Sequence, residues 1–423
     1  MLIVVLVAML TLAAWVAAVD GLYPLPEPRP TRLSATTADG WTLAVWYRPA
    51  THRRHAEPVI LCPGLANNAT FFDFAPPQSL AHFLSERGFD CYAVDLRGAG
   101  ASTPPDSGPW DVCIDDYIDR DVPAIAELVQ RHSGSPTLLW VGHSMGGLIG
   151  LAASMGALKG CLGGLVTIGS PVFFHRAERL RPLLKVGQWV SPWGAFDSTL
   201  IRLVAPLAGR VPSPKRGSTN LGNIEAHSQR LAAANVFAPM WRGVLRQLED
   251  WAANDAFRSM DLKTDYRAAA GRLEAPLLVV GGSADDLAPE AAARAFFDLA
   301  GGSTHRRALA LFGRAHGQAQ EYGHGDLVVG QRAHLEVYPV IAEFLEGCAV
   351  GPQGAQGAQG AQGALGPQGA LASPQLAVPS SASRAEFSPH PPALPLEGKG
   401  AAPGAAGPGK AQPALPTCFL GAS

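Results

Sequence analysis

Short apolar runs alternate with helix-like segments along most of this 423-residue chain. Runs of this length are typical of buried strands, and their alternation with helical segments indicates a mostly parallel sheet with helices on both faces. The strand-like runs are residues 42–47, 58–62, 90–96, 137–141, 165–168, 276–280 and 308–312. The pattern therefore predicts an α/β fold.

This alternation is interrupted between Ser170 and Pro276. The roughly 100 residues between them contain no clear strand-like run, several helix-like stretches and four of the nine tryptophans of the chain. We expect a helical cap at about residues 172–272, inserted after the sixth strand. Its aromatic side chains could line an apolar substrate pocket or could pack the small core of the cap itself.

Both ends of the chain differ in composition from the region between them. Residues 1–19 carry no charge and come close to the ~20 apolar residues that span a bilayer. A membrane anchor, a cleaved signal peptide and a buried N-terminal helix all remain open for this segment. The predicted folded domain covers residues 20–350. The predicted location is the cell envelope, with the protein either anchored in a membrane or exported.

A repeat begins the C-terminal tail, residues 351–423. Seven Gly-x-y triplets run from Gly351 to Leu371, which is the period of collagen. Only two of these triplets contain proline, so a stable triple helix is not expected. The composition, rich in Gly, Ala, Gln and Pro, instead predicts a disordered, low-complexity tail.

The charge balance and the motifs limit the classes of partner. Acidic side chains number 35 and Lys plus Arg number 33, so the net charge of −2 argues against a strongly basic nucleic-acid binder. The sequence has no phosphate-binding loop, dinucleotide fingerprint or metal-ligand spacing, so we expect neither a cofactor nor a metal. Membrane attachment through residues 1–19 is a further expectation.

A Gly-x-Ser-x-Gly motif follows the run at residues 137–141. Gly142, Ser144 and Gly146 form the motif, and a helix-like stretch of small residues comes next. A nucleophilic serine on a sharp strand-to-helix turn needs small neighbours, because the backbone folds closely on itself there. This context favours Ser144 as a nucleophile over a surface glycine-rich turn. We expect His143 to pack behind the turn and to take no part in the chemistry.

A catalytic serine needs a base, and the base needs an orienting carboxylate. In α/β enzymes with such a turn, the chain order is serine, acid, histidine. Asp285 follows the run at residues 276–280, at the end of the strand where sites in open sheets gather, which favours it over Asp286. His316 and His324 both follow the last strand-like run, and position alone does not choose between them.

Several of these segments resemble the α/β-hydrolase superfamily, and more narrowly the branch that includes acid lipases. In that branch the histidine lies in a His-x-Asp-apolar-apolar-x-Gly run, which His324–Gly330 matches. Gly282–Ala288 resembles the acid segment of the branch, and Asp95–Ser102 resembles a further family segment. The similarity covers roughly residues 35–346. It implies an α/β-hydrolase fold, with Ser144 as nucleophile, Asp285 as orienting acid and His324 as base.

Acyl chemistry also needs hydrogen-bond donors directed at the developing oxyanion. The family uses two backbone N–H groups, and the resemblance assigns them to Met145 and Leu65. Leu65 follows Pro63-Gly64 where the family has His-Gly. This change removes a side chain that often braces the loop but leaves the N–H donor in place.

These residues together predict a serine hydrolase that cleaves carboxylic esters with apolar acyl groups, like lipases, esterases or lysophospholipases. The expected partner is therefore a small ester or lipid substrate. The same residues could serve an acyltransferase that uses an alcohol in place of water. A third alternative is a membrane-tethered, non-catalytic binding protein in which the collagen-like tail is the active part. Dehalogenase and epoxide hydrolase activities need a carboxylate nucleophile at position 144, and the serine argues against them.

Overall fold

The computed structural model describes residues 10–349, except for residues 12, 16, 20, 28, 107, 109–110, 175–194, 197–198, 211–218 and 301–305. All the described residues lie in one compact unit. The predicted tail, residues 351–423, lies outside them.

An eight-stranded mixed sheet forms the centre of the fold. Its strands are β1 (Thr31–Thr36), β2 (Thr42–Arg48), β3 (Val59–Cys62), β4 (Cys91–Val94), β5 (Leu138–His143), β6 (Leu162–Ile168), β9 (Leu277–Gly282) and β10 (Arg307–Phe312); β7 (Ala195–Phe196) and β8 (Met240–Trp241) pair in a separate ribbon. The strand order in the sheet is β1-β2-β4-β3-β5-β6-β9-β10. Strand β2 is antiparallel to β1 and β4, and all other neighbouring pairs are parallel. The predicted fold class is therefore confirmed.

All the predicted strands of this sheet are present with slightly shifted ends, and β1 is an addition that the sequence did not predict. Strand β1 lies at the edge of the sheet and buries only Ala35. An edge strand of this kind has no long apolar run, because solvent covers most of its side chains.

The central strands are buried on both faces, which explains their continuous apolar sequences. In β5, Leu138 and Trp140 belong to one hydrophobic cluster, while Leu139 and Val141 belong to the other. Successive side chains of a strand point to opposite faces, so this division places one core on each side of the sheet.

Some helices pack against the two faces of the sheet, and others belong to the predicted cap. Their bounds are Leu80–Glu86, Ile114–Asp116, Val122–Ser133, Met145–Ala153, Thr199–Leu203, Ala226–Asn235, Arg242–Asn254, Glu290–Leu299, Asp326–Val329, Ala333–Glu336 and Tyr338–Cys348. The helix predicted from Asp115 to Arg131 contains a π-helical turn at Tyr117–Asp121. The turn ends at Asp121, whose fully buried carboxylate accepts hydrogen bonds from Arg97.

The predicted cap follows β6, and its described part is mostly helical. Phe174, Trp251 and Phe257 pack against one another, with ring centroids 5.7 Å and 4.9 Å apart along the row. These aromatic residues therefore belong to the main hydrophobic cluster on one face of the sheet, and not to a separate core of the cap. Trp241 differs from them, because it contacts the loop that follows β4.

The described part of the N-terminal segment contacts the cap. The indole N–H of Trp15 donates to the carbonyl of Leu203 at 3.2 Å, and Val19 is fully buried in a cluster with Ala205 and Ala233. Within the described ranges, no helix combines the length and the apolar character needed to cross a membrane.

Candidate active site

Ser144 lies on a sharp turn between β5 and the helix Met145–Ala153. Its φ of 52° and ψ of −118° place it in a conformation that a non-glycine residue rarely adopts, and such strain is concentrated at functional sites. A Cβ on Gly142 would lie 2.3 Å from the carbonyl group of Gly146, and one on Gly146 would lie 2.1 Å from the carbonyl oxygen of Cys62. The turn thus requires glycine at both motif positions, as predicted from the motif.

Asp285 and His324 form a buried hydrogen bond. Nδ1–H of His324 donates to Oδ2 of Asp285 at 2.8 Å, and the two residues are 7% and 3% exposed. The other carboxylate oxygen accepts the N–H groups of Leu287 and Ala288, each at 2.8 Å. Because Nδ1 carries the proton, Nε2 of the neutral imidazole has a free lone pair and can act as a base.

The alternative acid and the alternative base lie in different surroundings. Asp286 is exposed, whereas Asp285 is buried. Nε2 of His316 lies 3.0 Å from Glu290, at the start of the helix Glu290–Leu299. The His316 hydrogen bond lowers the pKa of Glu290. The structure therefore brings Asp285 together with His324 and places His316 in a separate hydrogen bond with Glu290.

The end of β6 separates the serine turn from the Asp–His pair. The N–H of Ser144 donates to the carbonyl of Ile168 at 2.7 Å. The next residue, Gly169, has a φ of +58°, and a Cβ there would lie 3.1 Å from both Asp285 Oδ2 and His324 Nδ1. Gly169 thus leaves the space in which the carboxylate and the imidazole meet.

His143 contacts the loop of His324, a role that the sequence did not reveal. Its Nε2–H donates to the carbonyl of His324 at 3.0 Å, and its ring lies 4.6 Å from the rings of His324 and Phe71. Burial, followed by the charge on His324, lowers the pKa of His143 well below its usual value. His143 is therefore neutral, and its Nδ1 has no hydrogen-bond partner among the described residues.

The two predicted oxyanion donors lie on either side of Ser144. Met145 begins a helix, where the N–H groups of the first turn have no partner within the helix. Leu65 belongs to the oxyanion loop, defined here as residues 63–68. A Cβ on Gly64 of this loop would lie 3.0 Å from Cβ of Ser144, so the loop backbone runs directly beside the serine.

Asp95, at the end of β4, braces the residue that directly follows the oxyanion loop. It is 2% exposed, and its carboxylate accepts the N–H of Ala69 at 2.7 Å, the N–H of Ala101 at 2.9 Å and the indole N–H of Trp46 at 2.9 Å. Burial raises the pKa of Asp95. The sequence motif contained both Asp95 and Ala101, but the contacts of Asp95 with Trp46 and Ala69 join segments too distant along the chain to be recognised from spacing.

Asp326 performs the same task for the loop that carries His324. Its buried carboxylate accepts the N–H of Gly323 at about 3 Å, the N–H of Asn220 at 2.9 Å and the side-chain amide of Asn223 at 3.0 Å. Burial raises the pKa of Asp326. The histidine loop is thereby tied to residues 220–223, which belong to the predicted cap.

No group of three or more His, Cys, Asp or Glu side chains suited to a metal ion occurs in the described part of the chain. The groups found at this edge of the sheet are the side chain of a serine, a hydrogen-bonded Asp–His pair and backbone N–H donors. This set can carry out nucleophilic acyl chemistry with its own groups.

A sequence model described as the alpha/beta hydrolase fold matches residues 57–310, which is more than half of the chain. Gastric triacylglycerol lipase of Bos taurus is 32% identical over 129 residues, or 28% of this chain and 32% of the lipase. Poly(3-hydroxyalkanoate) polymerase subunit PhaC of Haloferax mediterranei is 23% identical over 329 residues, or 70% of this chain and 60% of that protein. The chain thus spans about a third of the lipase and 60% of the polymerase subunit.

A solved structure with the same fold is that of a soluble variant of monoglyceride lipase from Saccharomyces cerevisiae in complex with a substrate analogue. Its TM-score is 0.55 at 18% sequence identity, and the match covers 78% of this chain and 98% of that one. At this identity the likeness concerns the fold alone.

Proposed function

The chain belongs to the α/β-hydrolase fold family, and on that premise we propose that it is a carboxylic ester hydrolase acting through Ser144, His324 and Asp285. The observation that carries the proposal is the buried 2.8 Å hydrogen bond between His324 and Asp285, at the same edge of the sheet as the strained Ser144 turn. A neutral imidazole held by a carboxylate is the arrangement that activates a serine hydroxyl.

In the proposed mechanism, Nε2 of His324 takes the proton of the Ser144 hydroxyl while Oγ attacks the ester carbonyl carbon. The carbonyl oxygen becomes an oxyanion and accepts the N–H groups of Met145 and Leu65. The tetrahedral intermediate then collapses, and protonated His324 gives its proton to the departing alcohol. Asp285 stabilises the imidazolium and keeps the proton on Nδ1 in the resting enzyme.

Water completes the reaction. His324 removes a proton from water, the resulting hydroxide attacks the acyl-enzyme, and Ser144 leaves with the proton that His324 returns. The acid is released, and the resting state is restored. The lipase names among the sequence relatives support an ester with an apolar acyl group as the substrate class.

Covalent labelling with a fluorescent alkyl phosphonate tests this proposal. The wild-type protein should be labelled and Ser144→Ala should not, because the phosphonate bonds to the serine oxygen. His324→Ala should lose labelling and ester hydrolysis, whereas the matched variant His316→Ala should keep both. Undiminished labelling of Ser144→Ala would refute the nucleophile, and the reverse pattern at the two histidines would move the base to His316.

An acyltransferase is the second candidate, and the similarity to a poly(3-hydroxyalkanoate) polymerase subunit favours it. The acyl-enzyme would be the same, but an alcohol would attack it in place of water. Adding a primary alcohol during ester turnover separates the two, because transfer yields a new ester and hydrolysis yields only the free acid. An ester product that exceeds the acid at low alcohol concentration would favour transfer.

We also propose that residues 1–19 direct the protein to the cell envelope, because this segment is apolar and carries no charge. A full-length protein should fractionate with membranes or the exported fraction, and a variant without residues 2–19 should stay in the cytosol. A cytosolic full-length protein would contradict this proposal.

A further inference from the structure

A small cavity lies on the oxyanion side of Ser144, between the oxyanion loop and the cap. Leu65 and Met145, the two proposed oxyanion donors, line it on one side, and Met240 and Trp241 of the cap line it on the other. Its volume is about 10 Å³, which leaves room for about one water molecule. An oxyanion fits this space, but a long acyl chain extending in the same direction would meet the two cap side chains.

We propose that Trp241 closes the acyl side of this site and restricts the enzyme to esters of short acyl chains. The inference rests on the proposed acylation of Ser144 and narrows the substrate class of that reaction. The acyl carbon bonded to Ser144 must place its oxygen against Leu65 and Met145, so its substituent begins beside the cavity that Trp241 bounds.

Three contacts fix the position of the Trp241 indole. Its Nε1–H donates to the carbonyl of Arg97 at 3.2 Å, and its ring meets that of Trp41 edge to face with centroids 6.0 Å apart. The third contact is with Gly98, where a Cβ would lie 2.3 Å from the indole nitrogen and where φ is +76°. The loop after β4 therefore packs closely around the indole and holds it in one position.

Arg97, whose carbonyl accepts the indole N–H of Trp241, is itself held firmly in place. Arg97 is 2% exposed and forms ion pairs with the fully buried Asp121 at 2.7 Å and with Asp39 at 2.8 Å. Its guanidinium group also lies over the ring of Trp41, 5.5 Å from the centroid. A buried arginine held by two carboxylates keeps its backbone in place, so the carbonyl that receives the Trp241 N–H does not move freely.

The cap strap, defined as residues 236–241, is tied to the oxyanion loop. The N–H of Asn68 donates to the carbonyl of Val236 at 2.9 Å, and the N–H of Ala238 donates to the carbonyl of Ala66 at 2.8 Å. The side-chain amide of Asn68 donates to the carbonyl of Asn235 at 2.8 Å. These bonds join the loop that carries Leu65 to the strap that carries Trp241.

This connection sets the size limit. If the strap moved away to admit a long acyl chain, it would break its bonds to the oxyanion loop and release the loop that positions the Leu65 donor. The conformation that stabilises the oxyanion is therefore the one in which Trp241 closes the cavity. The substituent of a short acyl group need not enter the cavity, whereas a longer chain in this direction must displace the indole and disturb the strap.

The chain-length profile of p-nitrophenyl esters tests the inference. The wild-type kcat/KM should be higher for the acetate than for the octanoate. Trp241→Ala should raise the octanoate-to-acetate ratio of kcat/KM on the order of ten-fold or more, since even one methylene in a pocket changes discrimination by about that factor. Phe237→Ala is the matched control, because this aromatic residue lies on the same strap but does not line the cavity, and its ratio should stay at the wild-type value.

Trp241→Phe and Met240→Ala provide further tests should Trp241→Ala fail to fold, which circular dichroism will show. Each should raise the ratio by a smaller factor. A wild-type preference for the octanoate, or an unchanged ratio in folded Trp241 and Met240 variants, would overturn the inference. Phosphonate labelling distinguishes its failure from failure of the proposed function: labelling of Ser144 with an unchanged ratio refutes only the size limit, and absence of labelling refutes both.

Discussion

Gly169 offers a direct test of whether the Asp285–His324 hydrogen bond matters for the reaction. Gly169 has a φ of +58°, and a Cβ there would lie 3.1 Å from Oδ2 of Asp285 and Nδ1 of His324. Ordinary contacts of a Cβ begin at 3.4 Å. In Gly169→Ala, the carboxylate and the imidazole must therefore each move away from the new methyl group by about 0.3 Å, the difference between these two distances.

The substitution has two costs that can be separated. The left-handed backbone costs an alanine roughly 1–2 kcal/mol of stability. The methyl group also forces apart a carboxylate and an imidazole, and a misplacement of about 1 Å can lower the rate ~100-fold. Since the required shift is a few tenths of an ångström, we expect kcat/KM for p-nitrophenyl acetate to fall ~10- to 100-fold.

Gly134→Ala is the matched control for the backbone cost. Gly134 ends the helix Val122–Ser133 with a φ of +73°, and a Cβ there would meet no atom within 4 Å. Both variants should lose similar stability in urea unfolding, but only Gly169→Ala should lose activity. Equal kcat/KM values for the two variants at equal stability would refute the idea that this hydrogen bond supports the reaction.

Two further predictions concern residues that hold the loop of His324. His143→Gln keeps an N–H donor for the His324 carbonyl and should retain most of the activity. His143→Leu leaves that carbonyl without its hydrogen bond, at a cost of about 1–3 kcal/mol, and should lower kcat ~10-fold. Because His143 is neutral, the acidic limb of the kcat/KM–pH profile should keep its midpoint in His143→Gln. A shifted midpoint would show that protonation of His143 contributes to the pH dependence of the reaction. Asp326→Asn should lower the free energy of unfolding by about 1–3 kcal/mol, because the new amide NH₂ faces donors that the carboxylate accepted. Urea unfolding checks this prediction against Asp286→Asn, which changes an exposed carboxylate and should have a smaller effect.

The sequence predicted the elements whose signals are local. The buried strands were recognisable because each is a continuous apolar run, and the serine turn because glycine must stand at positions 142 and 146. The choice of Asp285 over Asp286 followed from the strand that precedes them, and in the structure Asp285 is the buried carboxylate of the two. Strand β1 was missed because an exposed edge strand has no such run.

Contacts between distant segments could not be predicted from spacing. His143 was expected to pack behind the turn and to take no part in the chemistry, but its hydrogen bond to a carbonyl 181 residues away could not be foreseen. Trp241 was one aromatic residue among many in the cap, and its place beside the cavity depends on Gly98 and the carbonyl of Arg97. Such contacts are set by the three-dimensional arrangement of loops at the strand ends, which no local pattern encodes.

Three buried carboxylates follow strands β4, β9 and β10, and their partners decide what each can do. Among the described residues, Asp95 and Asp326 accept hydrogen bonds from backbone, amide and indole N–H groups, none of which can release a proton near neutral pH. These bonds hold the segment after the oxyanion loop and the histidine loop in place. Asp285 has the one partner that titrates, the imidazole of His324. Burial is common to all three carboxylates, so the chemical role follows from the partner and not from the burial.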